Sequence, residues 1–462
     1  MRILYWFRKD LRTDDNTGLL EATRDGDVVP YYVHGVDTGP SPLRERFLDE
    51  CLAGLAQDIA GCGSRLVLDE GREEELVLRA ARRAGVDAVY WNDEYEPALV
   101  ARDDAVENAL RREGLAVRRF HDRLLVPPGL VRTQSGEPFV VFGPFRRACE
   151  NLPQGVPLPR ATRFAEHDVQ GGPAPKRIDL EPLTHEVPRG GEREARRRLE
   201  SFVEARLAHY ASDRDLPARN GTSRLSADLA FGTVSPRAVA DAALRAAADT
   251  PALAVSAARF VCELRWRDFY AHVLHHFPHA ERGAFRPRYD TIAWRSDPER
   301  LEAWKKGRTG FPLVDAGMRE LATTGFMHNR LRMIVASFLT KDLLIDWRLG
   351  ESHFRRALVD ADLASNNGGW QWAASTGTDS QPWFRIFNPV SQGQRFDPDG
   401  DYVRRWVPEL AGLPARWIHR PWEAPETVLS EARVAIGRDY PDPIVDHFER
   451  REQALAMYRG SR

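Results

Sequence analysis

The chain has 462 residues, 42% hydrophobic and 29% charged, which is ordinary for a globular protein and too long for one compact core. A formal net charge of -2 excludes a uniformly basic nucleic-acid coat but leaves room for one basic face, and no apolar run reaches membrane-spanning length. Cys51, Cys62, Cys149 and Cys262 form no Cys-x-x-Cys pair and the N-terminus lacks a cleavage pattern, so a reduced, cytoplasmic protein without a leader is expected.

From the N-terminus, apolar runs at 3–7, 28–33, 65–68, 88–91 and 117–120 predict short buried strands. Between them, 42–60, 73–84 and 97–112 carry helical periodicity with Arg, Asp and Glu outward. This alternation predicts an α/β domain over 1–126 with a doubly wound, Rossmann-like parallel sheet. No G-x-G-x-x-G follows the first strand and no G-x-x-x-x-G-K-[ST] occurs, so a nucleotide is not expected here on a phosphate loop. Residues 127–191 are rich in Pro and Gly, including Pro153, Pro157, Pro159, Pro175, Pro182 and Pro188, and predict a long connector with little regular structure.

From 192 to 462 the pattern is helical, at 192–210, 236–249, 253–277, 298–306, 312–321, 330–348 and 352–358. Pro236 and Pro312 stand at helix starts, where proline is tolerated. A second, all-α domain is predicted. Ten of the twelve tryptophans lie after residue 260, which suits a packed helical core, a base-stacking surface or an electron path.

Four polar-aromatic stretches interrupt this domain. Gly221-Thr-Ser-Arg-Leu-Ser226 suits a phosphate seat or a plain helix cap. In Glu263-Leu-Arg-Trp-Arg-Asp-Phe-Tyr270 the helical spacing puts Glu263, Trp266 and Arg267 on one face, fit for a flat polar ligand or for a core tryptophan rimmed by charge. In His328-Asn-Arg-Leu-Arg-Met333 the arginines diverge, one toward a phosphate and the other toward a carboxylate such as Asp360, or both along a salt-bridged surface. The fourth runs from Asp360 through Asp362, Asn366, Asn367, Gly368, Gly369 and Trp370 to Trp372. A helix C-cap at Asn367-Gly368 would explain a turn there, but not Asp360, Asp362 and Asn366; a polar-edged pocket for an aromatic ligand explains both. His272, His275, His276 and His279 mimic a metal set, but Pro278 breaks the helix before the last, and no metal is expected.

On six linked motifs in order, the chain resembles the photolyase/cryptochrome flavoproteins over essentially its full length, and more narrowly the bacterial class I cyclobutane pyrimidine dimer photolyases. The motifs are Trp6-Phe-Arg-Lys-Asp-Leu-Arg12, Gly221 to Ser226, Glu263 to Tyr270, Thr309-Gly-Phe-Pro312, Met327-His-Asn-Arg-Leu-Arg-Met333 and the stretch from Asn366 to Asp379. The resemblance implies an α/β antenna domain (1–126), a wrapping linker (127–191) and an all-α FAD-binding domain (192–462). It implies light-dependent DNA repair, in which excited, reduced anionic FAD lends an electron to a flipped-out dimer and recovers it.

Residue by residue, the resemblance places Tyr210, Thr222, Ser223, Arg224, Leu225 and Ser226 at the FAD phosphates. Arg332, Asp360, Asp362 and Asn366 fall at the ribityl–isoalloxazine region, Asn366 facing N5. Glu263 would hydrogen-bond a thymine edge, Trp266 and Trp372 would wall the lesion pocket, and Arg267, Asn329 and Met333 would complete it. Arg214, Arg330 and Gln392 would hold DNA. Trp370, Trp347 and Trp294 occupy the photoreduction chain. Arg8, Asp10, Arg46 and Glu94 would meet an antenna chromophore. Ala98-Leu99 replaces the Asn-Glu pair of folate-binding relatives, so Glu94-Tyr-Glu-Pro97 favours a deazaflavin-type antenna. Phe326 and Trp383 depart from the family as aromatic swaps.

The partner implied is ultraviolet-damaged DNA, with no membrane and no obligate protein partner, the chain acting as a monomer. A cryptochrome-type light receptor is the alternative; plant members carry aspartate where this chain has Asn366, and no long tail follows Arg462. A (6-4) photolyase would use histidines where Asn329 and Met333 stand, and DASH-type members lose a pocket tryptophan that Trp266 and Trp372 both retain.

Overall fold

The computed structural model describes residues 1–35, 41–153, 155–172 and 187–460. Strands β1 (Arg2–Phe7), β2 (Asp27–His34), β3 (Val67–Glu70), β4 (Ala88–Asn92) and β5 (Ala116–Phe120) form one parallel sheet in the order β3-β2-β1-β4-β5. The third strand starts two residues later than its apolar run predicts. Helices α1 (Thr17–Asp25), α2 (Pro42–Ala60), α3 (Glu73–Ala84) and α4 (Pro97–Arg112) cross between strands, the last three at the predicted bounds. α1 escaped the periodicity because it is short; Asn16 caps it by accepting from the Leu19 amide. Strand order reverses between β2 and β4 on either side of β1, so the segments after Phe7 and after Asn92 flank the crevice where such sheets take ligands.

The 127–191 connector holds little regular structure among its described residues, as its Pro/Gly texture predicts. Helix α5 (Phe142–Glu150) lies within it, burying Phe142, Phe145 and Cys149. Pro144 is accommodated because the first turn of a helix has no partner for its N–H anyway. Pro175 and Pro182, part of the same expectation, lie outside the described residues.

Contacts divide the chain into two compact units. The first comprises Met1–Ala211 and Ser223–Pro278, so the sheet shares a unit with α6 (Glu192–Ala205), α7 (Ser226–Phe231), α8 (Pro236–Asp249) and α9 (Ala254–His276). The tie is visible at Asp268 on α9, whose buried carboxylate accepts from the Leu125 and Val126 amides at 3.3 and 3.0 Å. Burial pushes this carboxyl up to about 7, against the pull of Arg267 and those amides.

The second unit comprises Ser212–Thr222 and His279–Arg462. Its core packs α10 (Pro298–Lys305), α11 (Pro312–Thr324), α12 (Asn329–Ser337), α13 (Trp347–Ala357) and α14 (Leu363–Ala373), with α15 (Pro389–Phe396) beyond. The single helix expected over 330–348 is two: α12 widens into a π-turn at Phe338–Asp342, Leu344 takes a left-handed φ of 59°, and Asp346 caps α13. Nor do Gly368 and Gly369 make a turn. They lie inside α14, whose start Asp362 fixes by accepting from the Ser365 amide at 2.9 Å. Tertiary packing and this cap override their poor helix propensity.

Candidate functional site

In the second unit the fourth motif becomes a constructed face. Asp360, 8% exposed, receives the Arg332 guanidinium on Oδ2 at 2.7 Å, while Arg332 Nε donates to the Met327 carbonyl at 2.9 Å. Asp360 Oδ1 is buried with no hydrogen-bond partner. An ionised oxygen left open beside an already paired one awaits a donor from a ligand. One turn into α14, Asn366 Nδ2 donates to both the backbone oxygen and Oε1 of Glu351, at 3.0 and 2.8 Å. Both amide hydrogens are therefore taken, and Oδ1 is the atom Asn366 offers outward. Gly369, three residues on and on the same helical face, is exposed, with no atom within 4 Å of where a Cβ would stand. An open acceptor, an oriented amide and a bare stretch of helix suit a flat, N–H-bearing ring such as the isoalloxazine of FAD. Glu351 was missed in the sequence because it pairs across helices, which leaves no periodic trace. Burial raises its pKa, and Arg355 and Asn366 oppose the rise.

The DNA-contact candidates of this unit gather at one place. Arg330 pairs with Asp215 at 2.9 Å, and the neighbouring Arg214 lies 3.6 Å from the same carboxylate. Arg330 also sits 4.2 Å over the ring of Phe396 on α15, the helix that carries half-buried Gln392. Asn329 and Met333 are one turn apart on α12, exposed and half-buried respectively, and Trp372 is half-buried at the end of α14.

The tryptophans divide by burial. Trp370 is 2% exposed, edge-on to Phe354 at 5.0 Å and to Trp304 at 6.0 Å. It packs directly over Gly350, one turn beyond Trp347 on α13, where any Cβ would stand 2.1 Å from the indole. Trp347 is buried, Trp294 half-buried with its ring 6.3 Å from Tyr458. Trp304, unassigned by the sequence, gives its Nε1–H to the Val335 carbonyl and reads as core.

In the first unit α9 does put Glu263, Trp266 and Arg267 on one face. Glu263 has Arg259 at 3.8 Å. The Arg267 guanidinium donates to the Arg123 and Leu229 carbonyls, the latter at 3.1 Å. Tyr210 is buried, edge-on to Phe202 and Phe260. In the third motif Arg224 adopts a left-handed φ of 55°, Ser223 Oγ accepts from the Leu225 amide at 3.4 Å, and α7 starts at Ser226 with no side-chain cap from Leu225. The strained turn, not a simple cap, is what the motif encodes. Thr222 is the last residue of its segment in the second unit.

The antenna candidates are engaged internally. Asp10 accepts from Tyr5 Oη at 2.6 Å and Asn92 Nδ2 at 2.7 Å. Arg8 pairs with Asp103 at 2.5 Å, Arg46 with Glu50 at 3.1 Å, and Glu94 with Arg123. Burial opposes ionisation of Glu94, but Arg123, Lys9 and Arg8 together hold it down at about 2. Arg8 Nη2 and Arg46 Nη1 are buried without partners, so each guanidinium keeps one donor for a ligand.

Comparison with known proteins follows this geometry. A family model described as the FAD binding domain of DNA photolyase matches residues 260–460, and one described as DNA photolyase matches residues 3–162. A deoxyribodipyrimidine photo-lyase of Agrobacterium fabrum is 43% identical over 99% of this chain and 97% of its own. Among solved structures, a bacterial class III photolyase from Agrobacterium tumefaciens superposes with a TM-score of 0.94 at 42% identity, covering 100% of this chain and 97% of that one. An archaeal photolyase from Sulfolobus tokodaii, described with two FAD molecules, gives 0.83 at 33% identity with both chains fully covered. The first of these structures is described as class III where the motifs resemble class I members; the family is common to both. With both of its domains matched and its relatives spanned nearly end to end, the chain belongs to the DNA photolyase family.

Proposed function

We propose that the protein is a deoxyribodipyrimidine photo-lyase that splits cyclobutane pyrimidine dimers in DNA under blue light. The observation that carries this reading is Asp360, held by Arg332 through one oxygen and open at the other, beside an Asn366 amide whose hydrogens Glu351 has taken. Reduced FAD, when bound and excited, supplies the electron that opens the dimer and takes it back. The chain's own residues do the rest. Within the second unit, Arg332, Asp360, Asp362 and Asn366 hold the ring region. Asn366 Oδ1 offers an acceptor to a ring N–H, which favours a reduced cofactor.

Glu263 receives the dimer by hydrogen bonding, with Trp266 beside it on the same helix; a damaged pair leaves the stack at least cost. Arg214, Arg330 and Gln392 meet phosphates, so binding weakens as salt rises. Reduced protein should restore dimer-containing DNA in blue light and not in darkness. Equal repair in both would sink the reading.

Trp370, Trp347 and Trp294 pass electrons inward from solvent. Trp294→Phe, with a ring much harder to oxidise, should slow photoreduction many-fold while protein reduced beforehand keeps its repair. Equal loss of both would remove Trp294 from the path.

Glu351 has a measurable part. Glu351→Ala removes the side-chain acceptor and leaves the Asn366 amide only its bond to the backbone oxygen, a loss of about 1.5 kcal/mol, so the reduced cofactor should reoxidise roughly tenfold faster in the dark. Glu351→Gln keeps an acceptor oxygen and should stay near the parent rate. Identical reoxidation of all three proteins would show that the contact has no such part.

For the antenna, the free donor of Arg8 beside the sheet switch point and that of Arg46 on α2 support a second chromophore, and Ala98-Leu99 beside Glu94 favours a deazaflavin type over folate. The absorption spectrum of freshly purified protein distinguishes these. Among the described residues no helix is long and apolar enough to cross a membrane. A cytoplasmic monomer acting on damaged DNA fits this reading.

A further inference from the structure

The indole of Trp266 is held from behind. Phe142, the first residue of α5, lies parallel to it with ring centroids 3.7 Å apart and an interplanar angle of 12°. Aromatic pairs usually sit offset or edge-on at 4.5–7 Å; this is a nearly full-face stack, so one face of the indole is covered. Phe142 is itself fixed, only 7% exposed and edge-on to Phe269 at 5.8 Å. One turn along α5, Phe145 is fully buried against Phe269 and His272, and at the end of the helix Glu150 pairs with Arg265 of α9 at 2.8 Å. Trp266 stays half-exposed, flanked on its own helix by Phe269 and Tyr270. The connector helix thus serves as a backing plate along α9.

We propose that Phe142 is a positioning residue for lesion recognition: it holds the Trp266 indole in one orientation with a single face for a flipped-out pyrimidine. This rests on the reading that Trp266 walls the lesion pocket. Without its backing the indole would turn about two side-chain bonds, and a stacking base would have to order it on arrival. Phe142 touches no reacting atom in this account, so its effect falls on lesion affinity and not on turnover of bound lesion.

The test measures dark binding of a dimer-containing oligonucleotide and of its undamaged twin, then repair by reduced protein at saturating substrate. Phe142→Ala should weaken lesion binding about tenfold, the worth of a lost stack plus the ordering of one aromatic side chain, with undamaged DNA and saturated repair little changed. Phe142→Leu keeps bulk without a ring plane and should also weaken lesion binding, which covers the case of an alanine variant that folds poorly. Phe142→Tyr should restore it. Unchanged lesion affinity in the alanine and leucine proteins overturns the proposal, as does an equal fall for damaged and undamaged DNA, which marks plain scaffolding. Trp266→Ala is measured beside them. If it binds the lesion as the parent does, the underlying reading fails and the proposal with it; if it alone weakens lesion binding, only the role of Phe142 fails.

Discussion

Asp360→Ala protein is expected to purify almost free of flavin. Asp360 is buried, and removing it strands the Arg332 guanidinium, which keeps only its bond to the Met327 carbonyl. Breaking a buried ion pair from one side costs about 3 kcal/mol. The open oxygen that would take a ligand N–H disappears with it, and a hydrogen bond to a charged acceptor is worth about 1.5–3 kcal/mol. Cofactor affinity should therefore fall roughly a hundredfold or more. The ratio of flavin to protein absorbance after purification checks it, and Asp360→Asn, which keeps the shape and loses the charge, should fall between. A full complement of flavin in the alanine protein would remove Asp360 from the cofactor site. Thermal unfolding of the flavin-free forms separates lost affinity from lost fold.

The second large effect is at Glu263. Its side chain is 28% exposed, with Arg259 one turn back at a loose 3.8 Å. It stands one helical turn from the Trp266 indole, so a pyrimidine stacked there would bring its polar edge within reach of the carboxylate. Replacing it with alanine removes a charge-assisted hydrogen bond to the base. Repair per photon by reduced protein should drop roughly ten- to a hundredfold, with flavin content unchanged. Glu263→Gln retains an acceptor and should recover part of the loss. Full repair by Glu263→Ala would end its assignment.

Much of the fold could be read before the structure because its signals are local. Buried parallel strands announce themselves as apolar runs, and α2 and α8 begin at Ser-Pro pairs whose serines accept from the third residue on. The misread segments lack that locality. The break between α12 and α13 depends on a left-handed Leu344 and a π-turn, which a helical apolar period continues straight across. Gly368 and Gly369 read as a stop, yet packing carries the helix through them. At the site, charge alone left open which arginine of the third motif meets Asp360; the family resemblance put Arg332 in the same region, and the structure joins the two. Glu351 and Phe142 could not be paired in advance. Their partners, Asn366 and Trp266, lie 15 residues away and in a separate helix far along the chain, and nothing in either local sequence points to the other.

Gly350 is a different kind of statement. The helix that begins with Trp347 meets the Trp370 ring at the one position with no side chain to hold them apart. Electron passage between aromatic rings declines steeply with every added ångström of gap. On the proposed tryptophan path the missing methyl group acts as a shim of zero thickness, and adding one at Gly350 should push the Trp370 ring away and slow rearming of the protein by light.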